Sequence, residues 1–139
     1  MSEVEAGIGM QVIDERRCHT LLSQAHLGRL GFTSRSLPVI LPVNYTLDDG
    51  QIVFRSESGS ILSAAIARDV ACLEVDDHDD FGHTGWIVLA TGRLGEIDDA
   101  ARLDRLHLLP LPAWRPMSRP HYLQLSVDLI SGRRLHPVR

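Results

Sequence analysis

The segment VFRSESGSILSAAIA, Val53 to Ala67, sets one cation and three hydroxyls around a glycine, just ahead of a helix-like pattern. Arg55 carries a planar fork of N–H donors, and Ser56, Ser58 and Ser60 carry hydroxyls. Gly59 lets a backbone approach closely. If Ile61 opens a helix, its first amides are unpaired and lie at the positive end of the helix dipole. These parts together suit a phosphate. The same residues also admit a plainer arrangement, in which Ser58 or Ser60 caps the helix and Arg55 pairs with Glu57. Local physics leaves both open.

Other residues have the right chemistry but weaker spacing. Asp76-Asp77-His78-Asp79-Asp80-Phe81-Gly82-His83 holds potential metal ligands. It matches neither a calcium loop nor a zinc pair on one helix face, so a solvated connection between strands is expected there and no metal. Of the seven histidines, none forms an i, i+4 pair beside a carboxylate, and His107 and His121 read as surface or core residues. Trp86 and Trp114 are large enough to lie against a planar cofactor, and core packing serves Trp86 equally well. Cys18 falls on an apolar helix face, where inert burial is expected. Asn44 interrupts the apolar run VILPVNY and needs a polar partner, either a ligand or neighbouring backbone.

The elements that must position these residues read as follows. DERRCHTLLSQA is a helix with Asp14 as N-cap and Cys18, Leu21, Leu22 and Ala25 on one face. LGRLGFT, LPVILPVNYTL and QIVFRS are strands, the last two joined through Asp48-Asp49-Gly50 in a hairpin. Pro38 and Pro42 confine the second to an edge, a bulge or half-pairing. SILSAAIA is a short helix with Ile61, Leu62, Ala65 and Ile66 on one face. VACLEVD and TGWIVLATGRLGEI are strands, with Gly92 and Gly95 marking a bend in the second. Asp98-Asp99 cap a helix reaching about Leu109, and a loop with four prolines follows. Leu123, Leu125, Val127 and Leu129 alternate with polar residues as one final strand. About six strands with short helices predict a β-barrel-like α+β domain.

With 139 residues the chain suits a single domain, residues 1–139, with a flexible lead-in over residues 1–10. A net charge of −4 with scattered positives argues against a nucleic-acid partner. The acidic start lacks the features of a signal peptide, and no apolar run approaches the ~20 residues of a membrane span. Two cysteines are too few for a disulfide framework. A soluble, cytoplasmic protein without membrane contact is expected.

In order and spacing, PVNY (Pro42 to Tyr45), the Phe54–Ser60 segment and TGW (Thr84 to Trp86) resemble the pyridoxamine 5′-phosphate oxidase-like family of FMN-binding split barrels. The resemblance runs from the first helix to about Leu135. It implies a six-stranded split β-barrel with short flanking helices, a homodimer, and flavin sites at the subunit interface. It makes Arg55, Ser56 and Ser60 phosphate ligands, beside Ser58 of the local reading, places Val43 and Asn44 against the flavin ring, and puts Trp86 nearby. The implied function is an FMN-dependent oxidoreductase. Two departures stand out. Relatives often carry basic residues where this chain has Ile61 and Leu62. SGRRLHP, Ser131 to Pro137, resembles the Arg-Leu-His of true pyridoxamine-phosphate oxidases, but the aromatic motif before it is replaced by QLSVDLI. Vitamin B6 activity is therefore not expected, and Arg134 and His136 are kept as substrate-side candidates. The alternatives are a phosphorylated deazaflavin, haem held by a histidine, or a non-catalytic sensing module with a degenerate cofactor site.

Overall fold

The computed structural model describes residues 4–5, 10–57, 59–81, 83–113 and 116–136. In chain order, strands β1 (Val4–Glu5) and β2 (Met10–Ile13) precede helix α1 (Glu15–Gln24). Strands β3 (Leu27–Ser34), β4 (Leu37–Asn44), β5 (Thr46–Asp48) and β6 (Gln51–Ser56) lead to helix α2 (Ser60–Ile66). Then come β7 (Val70–Asp79), β8 (Thr84–Glu96), helix α3 (Ala100–Leu106), β9 (His121–Leu125) and β10 (Leu129–Leu135). All ladders are antiparallel, and the longest path through the sheet runs β1-β2-β10-β8-β7-β3-β4. The sheet curls into the split barrel that the sequence predicts. Among the described residues ten strands stand where six were expected, because β1 and β2 are short additions, and the run LPVILPVNYTL, at Tyr45, and the final run are each broken in two. Val4, Glu5 and Met10 thus pair as strand within the expected lead-in.

The β5–β6 hairpin turns through Asp49 (φ 53°) and Gly50 (φ 75°), the two left-handed residues of a type I′ turn. Its ladder covers only Thr46↔Val53, Leu47↔Ile52 and Asp48↔Gln51. Beyond that the arms diverge. The Tyr45 N–H donates to the His26 carbonyl at 2.9 Å, and the Tyr45 hydroxyl donates to the Leu22 carbonyl at 2.6 Å. These bonds turn the chain towards β3, so β4 pairs with β3 while β6 pairs with β9. Pro42 has no N–H to offer across the gap, and β4 remains an edge, as its prolines predict.

The second device is a strand shared by both parts of the sheet. β8 pairs with β7 up to Arg93 and with β10 up to Thr91, then with β9 from Leu94 to Glu96. The chain from β9 to β10 crosses it at Gly92, where Ser126 N–H donates to the Arg93 carbonyl at 3.1 Å and Asp128 N–H to the Thr91 carbonyl at 2.9 Å. A side chain on Gly92 would overlap the Ser126 carbonyl. This crossing corrects the single final strand: Leu123 and Leu125 are buried, but Leu129, past the break, is 70% exposed.

Leu30, Phe54, Leu73, Val88, Leu94 and Leu123 belong to the buried barrel interior. A smaller cluster of Val53, Ile97, Leu106, Leu111 and Tyr122 lies beneath α3. Asp14 caps α1 by accepting the Arg17 N–H at 2.8 Å, and Asp99 caps α3 through the Arg102 N–H at 2.9 Å. α3 is tied to the hairpin by Asp48, which accepts from Arg102 Nε at 3.0 Å and Arg105 at 2.9 Å. The hydrogen bonds from Arg105 and then Arg102 hold the Asp48 carboxyl below its ordinary range. Two expectations are corrected here. Ile66 of α2 is exposed and Ala64 is buried in its place, while Ile61, Leu62 and Ala65 of the expected face pack on the core. The acids 76–79 are exposed strand residues rather than a connection, since β7 pairs with β8 as far as Asp79↔Thr84. Among the described residues, no helix is long and apolar enough to cross a membrane.

Gly92→Ala should destabilise the fold by about 3 kcal/mol or more, because the overlap is with backbone that cannot swing aside. Urea denaturation of the variant checks this, and an unchanged midpoint would refute the crossing.

Candidate functional site

Where the hairpin arms diverge, a cavity of about 230 Å³ opens between β4 and the end of β6. Leu41, Pro42, Val43 and Asn44 form one wall, and Arg55, Ser56 and Glu57 form the other. Leu111, Pro112, Ala113 and Met117 of the proline-rich loop roof it, and Ile61 closes the end. Val43 is buried and Asn44 half-buried, at successive positions of one strand. Such a slot, largely apolar with a few polar groups at its rim, is suited to a flat ring bearing hydrogen-bonding edges.

The structure brings Val43, Asn44, Arg55 and Ser56 together in this cavity. The Arg55 guanidinium donates to the Leu111 carbonyl. Among the described residues it makes no ion pair, so its pairing with Glu57 is not seen. Glu57 accepts the Ser118 N–H at 2.9 Å instead. Both ends of the turn after β6 therefore hold the loop. Ser56 donates its hydroxyl to the Glu57 carbonyl at 3.1 Å. Gly59 occupies the N-cap position of α2 (φ 138°), and among the described residues no side chain caps that helix. Ser60 lines a neighbouring cavity rather than this one. Ser58 lies outside the described residues, as does Trp114. Ile61 and Leu62 pack against the barrel core, which explains their apolar character.

Trp86, Arg134 and His136 line a different cavity, of about 370 Å³. Asp77, Trp86 and Arg134 are direct cross-strand neighbours on β7, β8 and β10. Within one chain Trp86 is therefore not beside Val43 and Asn44. His78 of the acidic stretch joins the same cavity. Cys18 is fully buried, with its thiol on the Ile13 carbonyl at 3.7 Å, and burial pushes its pKa up. His121 is held by Glu96 at 2.5 Å and lies outside the first cavity. Sequence reasoning missed the loop wall. The apolar Leu111 and Met117 inside a proline-rich stretch were the available signal, but only the fold shows what they cover.

The fold is that of a split barrel, as in the known proteins it is similar to. A sequence model of the pyridoxamine 5′-phosphate oxidase family matches residues 14–134, and the chain belongs to that family. It is 31% identical over 128 residues to protein Rv0080 of Mycobacterium tuberculosis, covering 88% of this chain and 84% of that one. Among solved structures, it is similar to a candidate pyridoxamine 5′-phosphate oxidase from Corynebacterium glutamicum, with TM-score 0.80 and 22% identity, covering 92% of this chain and 99% of that one. It is also similar to a FAD-binding protein from Mycobacterium smegmatis, with TM-score 0.78 and 28% identity, covering 91% of this chain and 99% of that one.

Arg55→Met, which keeps the stem but removes the guanidinium, should cost less than about 1.5 kcal/mol of stability. It should raise amide exchange in peptides spanning residues 108–113, whose Leu111 carbonyl loses its donor. Exchange identical to wild type would show that Arg55 does not hold the loop.

Proposed function

We propose that this chain is a flavin-binding oxidoreductase that takes its cofactor in the cleft between β4 and β6. The observation that carries this reading is the convergence of Val43, Asn44, Arg55 and Ser56 on one largely apolar slot. The 28%-identical M. smegmatis relative is a FAD-binding protein, which supports a flavin. The slot fits the group by its chemistry: apolar walls for the ring faces, Asn44 for the ring's polar edge, and Arg55 with Ser56 for the phosphorylated tail. Among the described residues no histidine lines it, which weighs against haem. Arg55 and the turn would equally receive the acidic tail of a phosphorylated deazaflavin.

A bound flavin would itself supply the hydride acceptor, so the protein's contribution is to bind, orient and exclude water. The β4 wall orients the ring, and the loop carrying Leu111 and Met117 shields it from solvent. Arg55 anchors the tail through a charge-assisted bond. The second cavity, with Trp86, Arg134 and His136, is assigned to the substrate side. Trp86 and Arg134 share that lining with Asp77, Asp79 and two histidines, a mixed set that suits a planar polar molecule rather than a polyanion. The free thiols Cys18 and Cys72 accord with a reducing cytoplasm.

The site also belongs to a homodimer in this reading. The outer face of the β3–β4–β7–β8–β10 sheet leaves Leu27, Ile40, Val70, Leu89 and Leu129 in water, with Ile40 and Leu129 each 70% exposed. That is more apolar surface than one sheet face of a stable monomer ordinarily presents. Asn44 lies opposite Leu27 on this same face, so a second copy covering it would border the cleft. The Arg29–Glu74–Asp76 ion cluster, at 3.1 and 2.6 Å, sits on the same face and would set its register. A second reading, a sensing module that holds no cofactor tightly, draws on Ile61 and Leu62 packing into the core. Reduction of bound flavin by a nicotinamide donor would exclude it.

Two measurements test the proposal. FMN should bind tighter than riboflavin, and Arg55→Ala should weaken FMN ten- to hundredfold, the ~1.5–3 kcal/mol of a charged hydrogen bond. Equal affinities for the two flavins in wild type would remove the phosphate from the turn. By light scattering the wild type should be a dimer and Ile40→Asp a monomer; a monomeric wild type would contradict the interface.

A further inference from the structure

Asp77, Trp86 and Arg134 form one row across three neighbouring strands: Asp77 of β7 stands opposite Trp86 of β8, which stands opposite Arg134 of β10. Directly opposed residues project from the same face of a sheet, so a carboxylate, an indole and a guanidinium lie side by side. Two strand spacings set the outer pair about 10 Å apart, with the indole between them. All three residues line the second cavity, of about 370 Å³. Trp86 is half-buried and packs against the barrel core, which fixes the middle of the row. Both ends are exposed and keep binding capacity. Arg134 takes part in no hydrogen bond or ion pair among the described residues. The Asp77 carboxylate accepts the His78 N–H at 2.9 Å through Oδ1 and leaves Oδ2 free among those residues. Two other polar groups of the lining are turned to neighbours: Asp79 accepts the Phe81 N–H at 3.0 Å, and His78 pairs with Asp80 at 3.0 Å.

The two ends carry opposite charge, so they call for opposite groups on one molecule. An edge bearing two N–H groups, as in a cyclic amidine or an aminopyrimidinone, donates in parallel to a carboxylate, and a carboxylate or carbonyl accepts from the fork of an arginine. The flat body between such groups lies against the indole. A polyanion would meet Asp77 and Asp79 as well as Arg134, and a plain apolar ring would use neither end. We infer that this row binds a planar, fused-ring heterocycle with two unlike ends, its amino edge on Asp77 and its carboxylate or carbonyl on Arg134. This rests on the reading above only in calling that molecule a substrate; the row binds it through its own groups.

Calorimetric titration with a matched set of probes tests it: pterin-6-carboxylate has both ends, pterin only the amino edge, and 2-naphthoate only the carboxylate. Wild type should bind pterin-6-carboxylate about tenfold tighter than either one-ended probe. Asp77→Asn should weaken pterin-6-carboxylate and pterin and leave 2-naphthoate no weaker. Arg134→Gln should weaken pterin-6-carboxylate and 2-naphthoate and leave pterin within about twofold, because the two ends are far enough apart to act independently. Both positions are exposed, and the circular dichroism spectrum of each variant should match wild type. One-ended probes that bind wild type as well as the two-ended one would overturn the inference, as would a variant that weakens all three alike. So would a wild type that binds none of the probes at millimolar concentration; if that protein still binds FMN, the flavin reading stands. A wild type that shows the end-specific pattern yet takes no flavin would remove the flavin reading and leave this row a binding site.

Discussion

The fold depends on a hairpin whose two arms are claimed by different parts of the sheet. The β5–β6 ladder ends at Thr46↔Val53, and had it continued, Asn44 and Arg55 would have become neighbours. Instead the bonds from Tyr45 to His26 and Leu22 draw β4 to β3, while β9 takes β6. An antiparallel pair that stops must leave its facing backbone groups to other partners or to a ligand. Pro42 lowers that cost by removing one donor from the β4 side. The cleft is thus a consequence of how the barrel closes, and its walls come from residues almost symmetrically placed about the Asp49-Gly50 turn.

Keeping the arms apart requires a rigid frame. β8 provides it by serving both parts of the sheet, with the chain crossing at Gly92 to reach β10. The Asp48–Arg102–Arg105 contacts hold the hairpin tip against α3, and the Val53–Leu106–Tyr122 cluster holds β6 from behind. Arg55 follows Val53 on that side of β6, which is why its guanidinium meets the loop carbonyl of Leu111 rather than the barrel interior. The acids near the turn are placed by the same frame. Glu57 is held by the Ser118 amide, which limits how much negative charge the tail of a ligand would meet.

Much of this was legible in the sequence, for physical reasons that differ from element to element. Asp14 and Asp99 were readable as caps because capping is local, and Asp49-Gly50 as a turn because few residues tolerate two left-handed positions. The edge status of β4 followed from its prolines. The pairing of Val43 and Asn44 with Arg55 and Ser56 came from resemblance, and the splayed hairpin supplies its cause. The break at Ser126–Asp128 was hidden because alternation of Leu123 through Leu129 continues unbroken through a change of sheet. Ile66 was misplaced because a seven-residue helix offers too few turns to fix its buried face. The loop wall was invisible because it joins segments distant in sequence, without local pattern.

The central claim is that the diverging hairpin forms the seat of a flavin ring. A crystal structure of the chain with bound flavin tests it most directly. The account predicts the ring lying against Val43 and Asn44, with its tail reaching Arg55. A ring seated against Trp86 and Arg134, with the cleft between β4 and β6 closed, would contradict it.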